Sequence, residues 1–513
     1  MRPQGEEGCT VEEAASMEGN VEGAPLFLGR ARVMTRFGRI DESNVVEALE
    51  EALPAFGLNS AQISALWRYY KGDQRILRRK KEVRPEIDNR IVENHAQEIV
   101  AFKIGYQLSE PMQYTCRMQS DGDEKAYDER LGSVNELNTM MFAEDKASCD
   151  RDLFEWMCVG GIGYRMAEAD TAHDVEDGGA PFEVYTLDPR VTCVVCSAQY
   201  HHRPLMAFWL GYDSASEKPV YNVYTDKMWF KVCGSEVVDK KGHTYGSVPI
   251  VEYRLNNARM GVFEPVIPLL DAINTIESDR VDDIEQVVQS LMVFKDCGID
   301  AESYDAMREK GAVKIRSLDQ NVKASIEMLN SPLDQTGTQT VKEDLYQSVV
   351  NICGMPNRNG VSGSSSDTGA AVLLRDGWTL AESHAKSYEL QFKRSERQFL
   401  RVVLSICRQS SATDLDLRIR DIELAFNRRN YENILVKSQV LTTMLQTGKI
   451  HPQLAFQSCG LFTDPDAAYK QSAEWAEDNA PVVPPAPGRD DAEPVGSAEG
   501  PQAGVPQEGD TAA

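Results

Sequence analysis

Val341-Lys-Glu-Asp-Leu-Tyr-Gln-Ser-Val-Val-Asn-Ile352, Gly354-Met-Pro-Asn-Arg-Asn-Gly-Val-Ser-Gly-Ser-Ser-Ser366 and the amphipathic run that follows to Arg408 decide how this chain folds. The first segment sets Val341, Leu345, Val349 and Ile352 on one helical face. The second is rich in glycine, serine, asparagine and proline, which interrupt regular structure. The third repeats Leu374, Trp378, Ala381, Ala385, Tyr388, Phe392, Phe399, Val403 and Ile406 at steps of three, four or seven. That spacing predicts a helix of about forty residues and roughly 60 Å. Ser366 and Asp367 suit its N-cap, and Gly377 inside it is a kink site. Glu382–Lys386 and Glu389–Lys393 are pairs one turn apart in the favourable order.

Upstream of this unit, Phe263-Glu-Pro265 opens another helix, with proline at a position that suits a first turn. It runs to about Met292 through Leu270, Ile273, Ile276, Val281, Ile284, Val288 and Leu291, which is roughly 40 Å. Between Asp271 and Glu285 it carries six acids against Arg280 alone. Residues 293–333 then read as a small mixed module: a strand at 293–295, a helix around 303–308 and a strand at 312–315. An insert of this kind between two long helices sits at the far end of an antiparallel hairpin.

Further out, residues 160–253 are strand-like at 164–167, 182–187, 191–196, 206–212, 220–224, 228–232 and 248–253, punctuated by turn residues such as Asp188-Pro-Arg190 and Gly211. An antiparallel sheet is the simplest reading. Before it, helices begin near Asn59 and Ser60, a basic run Arg75-Ile-Leu-Arg-Arg-Lys-Lys81 follows, and Asn89 to Tyr106 is amphipathic. A long helical region spans 124–159 with Leu131, Val134, Leu137, Met141, Leu153 and Met157 inward. After Arg408 come a strand at 417–426 and helices at 431–446 and 464–476.

The chain has 513 residues and a net charge of -26. Residues 1–25 hold six acids against one arginine, and residues 477–513 hold eight acids against one arginine together with seven prolines. Both ends have the composition of disordered segments. Without them the body is still acidic, which argues against a DNA wrapper or a binder of anionic membranes, since both rely on Lys and Arg. Eleven scattered cysteines fit free thiols in a reducing compartment. No stretch resembles a signal peptide or a membrane span, which points to a protein that is cytosolic or is assembled in the cytosol.

The chemical motifs are weak. Cys193-Val-Val-Cys196 has zinc-knuckle spacing but no second pair, and a strand would point the two thiols to opposite faces. Gly160-Gly-Ile-Gly163 lacks dinucleotide-loop spacing and a following Lys-Ser/Thr, so it reads as a helix-to-strand turn. The acids Asp279, Asp282, Asp283 and Glu285 scatter around one helix instead of converging from several elements as a two-metal site does. The basic run at 75–81 suits either a phosphate or acidic partner or a solvated helix end. These residues describe an acidic, multi-domain α+β protein with long rods and no catalytic constellation.

Several ordered segments carry a resemblance: Tyr69-Tyr-Lys-Gly-Asp-Gln74, Asn89-Arg-Ile-Val-Glu-Asn94, Ile99-Val-Ala-Phe-Lys-Ile-Gly-Tyr-Gln-Leu-Ser-Glu-Pro111, Asp188-Pro-Arg190, Gly246-Ser-Val-Pro-Ile-Val-Glu-Tyr253, Phe263-Glu-Pro265, and the loop running into Thr368-Gly-Ala-Ala371. Together, over roughly residues 55–475, they resemble the portal (head–tail connector) proteins of tailed double-stranded DNA bacteriophages, in the branch typical of long-tailed phages of Gram-positive bacteria. The resemblance implies a portal-like α+β fold with long stem and wing helices, a mostly antiparallel β wing region, a small mixed clip and a helical C-terminal crown. It divides the chain into an acidic leader (1–25), wing (26–262, helical to about 159 and β over 160–255), stem helix (263–294), clip (295–333), second stem helix (334–353), tunnel loop (354–367), long wing helix and strand (368–426), crown (427–475) and acidic tail (476–513). The long acidic ends depart from the family pattern.

Function follows as expectation from the same resemblance: a ring, typically of twelve subunits, at one capsid vertex, through which DNA is packaged and ejected. Asp279, Asp282 and Asp283 would line an acidic channel wall. Arg358, Asn359, Ser362 and Ser364 would face the bore from the tunnel loop. Arg308, Lys310, Lys314 and Arg316 of the clip would dock the terminase large subunit and later the head–tail connector proteins. Major capsid and scaffold proteins and non-specifically held double-stranded DNA complete the partners, with assembly in the host cytoplasm. Neither catalysis, a cofactor, a metal nor a membrane is expected. Two rival readings are a metal-dependent DNA-processing enzyme built on the acidic run and a small-oligomer scaffold protein.

Overall fold

The computed structural model describes residues 29–117, 124–170, 179–213, 218–288, 335–357, 377–411, 413–426, 428, 434–462 and 464–479, together with four short strands between 292 and 328. The chain is α+β. Strand β1 (Met34–Thr35) precedes α1 (Val45–Tyr70), which buries Val45, Ala48, Leu49, Ala52, Phe56, Ile63 and Leu66 along one stripe. This helix starts well before Asn59, where the sequence reading began it. Asn59 is no cap: in mid-helix its side chain accepts from Ala31 N (2.9 Å) and donates to Ala31 O (2.8 Å), tying down the segment that leads into β1. Pro54 lies inside the helix and breaks the sequence signal without ending the element.

Helix α2 (His95–Gln107), by contrast, starts later than its periodicity suggests, because Asn94 caps it by accepting from Gln97 N. The region 124–159 is two helices, α3 (Glu124–Ala143) and α4 (Lys146–Gly160), with β2 (Gln113–Cys116) before them. Asp145, at φ +47°, breaks the helix in the left-handed region that aspartate tolerates better than most residues. The glycine run that follows is a helix-to-strand turn. Gly161 has φ +80°, and a Cβ there would lie 2.2 Å from the Arg259 carbonyl oxygen.

All seven strands read from the sequence are present, but they divide between two sheets. β5 (Thr192–Ser197), β6 (Pro204–Asp213), β7 (Lys218–Tyr224), β8 (Met228–Cys233) and β9 (Glu236–Gly242) follow β1 in a six-stranded sheet of order β1-β5-β6-β7-β8-β9, antiparallel except where β1 runs parallel to β5. β3 (Ile162–Ala169) is central in a second sheet, between β4 (Phe182–Leu187) and β10 (Ile250–Arg254). The sequence missed β9, a largely exposed edge strand carrying Glu236, Asp239, Lys240 and Lys241; charge of this kind guards sheet edges. Gly211 is not a turn residue. It pairs with Val220 inside β6, where the Trp209 ring lies 2.7 Å from where its Cβ would stand.

Helix α5 (Ile267–Val288) and α6 (Gln335–Cys353) form the expected antiparallel hairpin: Arg280 reaches Gln339 (3.0 Å), Lys342 reaches Glu277 (2.6 Å), and Cys353 Sγ lies 3.6 Å from the Val262 carbonyl. At its far end β11 (Met292–Lys295) pairs with β14 (Ser325–Met328), and β12 (Cys297–Gly298) with β13 (Arg316–Ser317). The expected helix at 303–308 and strand at 312–315 lie outside the described residues. Helix α7 (Trp378–Gln409) is described from Gly377, which is its N-cap at φ +81° and not an internal kink. Ser366, Asp367 and Leu374 lie outside the described residues.

On α7, Phe392, Phe399, Leu400, Val402, Val403, Leu404 and Ile406 are buried in the main core, each stabilising by about 1.5–3 kcal/mol. Lys386 reaches Glu382 at 3.6 Å, but Glu389 receives Arg428 and Lys393 reaches Glu423, so the second expected pair has other partners. Strand β15 (Ile422–Ala425) pairs with β2. Helices α8 (Ile434–Gln446), α9 (Pro452–Cys459) and α10 (Pro465–Asp478) close the chain; α9, only eight residues long, was invisible to periodicity. No described helix is long and apolar enough to cross a membrane.

One polar cluster crosses the main core. Glu396 of α7, fully buried, accepts from Tyr114 (2.6 Å), Tyr253 (2.5 Å) and Arg165 (3.1 Å), and pairs with Lys146 (3.1 Å); Asp150 pairs with both cations. Two cations thus meet two carboxylates. Burial alone would raise the Glu396 carboxyl, but Lys146 and Arg165 outweigh it and hold the group below its ordinary value.

Candidate functional site

The acidic helix α5 is held by a polar ladder. Asn274, Ser278 and Asp282 lie four residues apart on one buried face. Asn274 Oδ1 accepts from Glu93 N (2.8 Å), Ser278 Oγ from Ile91 N (3.0 Å) and Asp282 Oδ1 from Asn89 N (2.8 Å). Four helical residues rise about 6.0 Å and two extended residues about 6.6 Å, so alternate amides of the 89–93 segment fall into step with the helix. This explains why that segment is not helical: its backbone donors are already satisfied by side chains of α5.

The basic run ends on the same face. Lys81 Nζ lies 2.8 Å and Arg79 3.3 Å from Asp282, and Arg79 also meets Asp279 at 2.7 Å. Burial pushes the Asp282 carboxyl up, yet Lys81 and Asn89 outweigh it and leave it below its ordinary value. Arg79 and Lys81 of the run therefore clamp α5, while Arg75, Arg78 and Lys80 are exposed, Arg78 beside Asp73. The same geometry corrects the expected acidic wall. Asp282, only 2% exposed, faces its own chain, whereas Asp279 is half-exposed beside Arg79 and Asp283 is exposed. Asp271 is bonded to Tyr69, Glu277 to Arg280 and Lys342, and Glu285 to Asn89.

The outer faces of the hairpin differ from the sequence reading in one further respect. Val341 and Ile352, expected inward, are each 52% exposed. The stripe of α6 that packs inward is Val349, Val350 and Cys353, with Leu345 and Tyr346 half-buried against the core. Tyr346 sets this rotation by bonding Glu98 at 3.1 Å and lying 4.8 Å from the His95 ring. The outer face of α6 then presents Val341, Glu343, Asp344, Ser348 and Ile352, and that of α5 presents Thr275, Asp279 and Asp283.

Helix α6 ends at Gly354, at φ +59°, where a Cβ would meet the His384 ring at 2.9 Å. Lys103, buried on α2, donates to the Gly354 carbonyl at 3.1 Å, and Met355 N donates to Val350 O at 2.9 Å, so the helix stop is pinned from two sides. Burial lowers the Lys103 ammonium to about 8. A Cβ on Gly377 would lie 3.6 Å from the Met355 carbonyl. The described residues on either side of 358–376 therefore lie close together. Arg358, Asn359, Ser362 and Ser364 lie outside the described residues, as do Arg308, Lys310 and Lys314. Arg316 is in β13, paired with Gly298, and the structure describes no side chain for it.

The remaining motifs are structural. Cys193 faces the core under α1 and Cys196 the opposite core, and burial raises both thiols, Cys196 to about 11. His202 contacts the Ser197 carbonyl. Among the described residues no three His, Cys, Asp or Glu side chains are placed to hold a metal ion. Sequence reasoning missed Lys103, the Asn274–Ser278–Asp282 ladder and Glu396. The four-residue spacing of polar side chains on an otherwise amphipathic helix was the one available signal for the ladder.

A family model described as phage portal protein, SPP1 Gp6-like, matches residues 58–482, from the second half of α1 to beyond the end of α10. Comparison with curated proteins gave no match.

Proposed function

The chain belongs to the phage portal protein family, the structural head–tail connectors of the virion that act in DNA packaging, and on that premise we propose how its parts serve a capsid-associated ring. In this reading twelve subunits surround a channel at one capsid vertex. Residues 26–262 and 368–426 form the wing, α5 and α6 the stem, 295–333 the clip, 354–367 the tunnel loop and 427–475 the crown. The observation that carries it is the α5–α6 hairpin, with a small β module at its far end and the stop of α6 at Gly354 pinned by Lys103, inside the span that the family model matches.

The charge distribution then acquires a purpose. Asp279 and Asp283 on the outer face of α5 repel phosphate, which keeps the counterion-release term small and lets DNA slide. Asp282 serves the same wall indirectly, by fixing the helix that bears it. Arg358, Asn359, Ser362 and Ser364 contact the DNA from the tunnel loop. Arg308, Lys310, Lys314 and Arg316 of the clip dock the terminase large subunit and then the connector proteins, while capsid and scaffold proteins hold the wing. The terminase supplies ATP hydrolysis, and assembly takes place in the host cytoplasm. Mass photometry with end-on negative-stain images of the full-length protein tests the ring. Closed rings of about twelve subunits with a central hole are expected; a monomer or dimer across low and high salt counts against it.

A further inference from the structure

The outer face of α7 carries Leu390, Arg394, Arg397 and Arg401, at steps of four, three and four, in one exposed stripe. Leu390 is 70% exposed. An open groove of about 420 Å³ runs along the stripe, with Lys393 and Glu423 on its wall. Glu423 pairs with Lys393 at 3.6 Å. Among the described residues Arg394, Arg397 and Arg401 make no ion pair. Behind them Arg254 of β10 donates to Gln391 at 3.0 Å. Burial first, and then the guanidinium groups of Arg394, Arg259 and Arg32, lower Arg254 from its ordinary value. A positive field is thus concentrated at one place on a chain of net charge -26.

We infer that this stripe is the cationic half of the contact between neighbouring subunits, and that its occupant is an acidic face of a second copy of the chain. The inference rests on the ring reading above. A closed ring joins two different faces of the same subunit. Copies that each carry 80 acids against 54 basic residues repel one another unless the faces that meet are locally opposite in sign. Unpaired arginines beside an exposed leucine are also what interface centres select, since arginine and apolar anchors are enriched there. Three unpaired guanidinium groups on one helix face do nothing comparable for the isolated fold, because exposed charges without partners contribute little stability.

The test uses full-length chains assembled into rings. Photo-crosslinking from Arg397→benzoylphenylalanine, followed by peptide mapping, identifies what covers the stripe. The expected product joins two copies, with the partner peptide between residues 29 and 476. In parallel, the triple variant R394E/R397E/R401E should keep its melting temperature as a subunit, yet its ring yield at low salt should fall about tenfold or more. Cross-links confined to one chain, to residues 477–513 or to DNA would overturn the inference and assign the stripe to the acidic tail or to phosphate. Rings of undiminished yield in the triple variant would overturn it too. If the unmodified chain makes no rings, the ring reading falls and this inference with it.

Discussion

Lys103 Nζ donates to the carbonyl of Gly354 at 3.1 Å, across the point where α6 stops and the loop begins. The ammonium is buried with aromatic rings on two sides, Phe102 and Tyr388, and a carbonyl in place of a carboxylate. Its value, lowered by burial to about 8 from 10.5, makes the contact pH-dependent. The unfolded chain keeps this proton up to the ordinary lysine value while the folded one releases it earlier. Between about pH 8 and 10.5 the unfolded state therefore binds more protons, and stability rises with pH. Lys103→Met removes that slope. Relative to the unmodified protein it should be the more stable by up to about 3 kcal/mol at pH 7, less about 1 kcal/mol for the lost hydrogen bond, with the difference shrinking toward pH 10. Denaturation midpoints at four pH values check this; a pH-independent difference would mean that Lys103 is not the titrating group.

Asp282→Asn tests the clamp on α5. It leaves Lys81 and Arg79 facing a neutral amide, and breaking a buried pair by removing one partner costs about 3–5 kcal/mol; the half-buried cations place this site toward the low end. The depressed carboxyl contributes fully above the ordinary aspartate value and loses its contribution as pH falls through its folded value. Protection factors, taken relative to the intrinsic exchange rate at each pH, should therefore fall at the Asn89 and Ile91 amides in the variant, and in the unmodified protein on acidification. Asp283→Asn, on the exposed face, should leave both amides protected.

The periodic elements were legible because apolar spacing is a one-dimensional record of which face is buried. The hairpin of long helices and seven strands came through on that basis. What was lost depended on partners distant in sequence. Asn59 looks like a cap until Ala31 is seen to occupy its side chain, and Asn89–Glu93 looks helical until α5 is seen to satisfy its amides. The acids of α5 all read alike as solvent-facing charge, yet Asp282 points inward and Asp283 outward, a difference set by one residue of helical rotation. Glu396 stands within an apolar stripe, and only the cations 231 and 250 residues upstream, at Arg165 and Lys146, account for it.

Glu396→Gln probes that cluster. The amide leaves two buried cations facing Asp150 alone, so the expected loss is about 3–5 kcal/mol, more than either tyrosine's removal from the same carboxylate. Tyr114→Phe and Tyr253→Phe each delete one hydrogen bond to a charged group, about 1.5–3 kcal/mol. Thermal melts of the three variants give the order directly. Equal losses would show that the hydroxyls, and not charge balance, hold α7 in place.

The acid wall yields the prediction closest to function. With Asp282 assigned to the fold, the charges left on the outer face of α5 are Asp279 and Asp283. The double variant Asp279→Asn/Asp283→Asn removes two carboxylates per subunit, multiplied around the ring, without touching the ladder. Phosphate passing that wall then meets less repulsion, so isolated rings should retain DNA more tightly at low salt, with the excess disappearing as salt approaches about 0.15 M and the screening length shortens to about 8 Å. Filter retention of labelled duplex by rings across a salt series measures it. Adding Asp282→Asn should not increase retention further but should reduce the yield of intact rings. If retention stays flat in the double variant while ring yield is normal, the outer face of α5 does not line the path of the DNA, and the wall must be sought on α6 at Glu343 and Asp344.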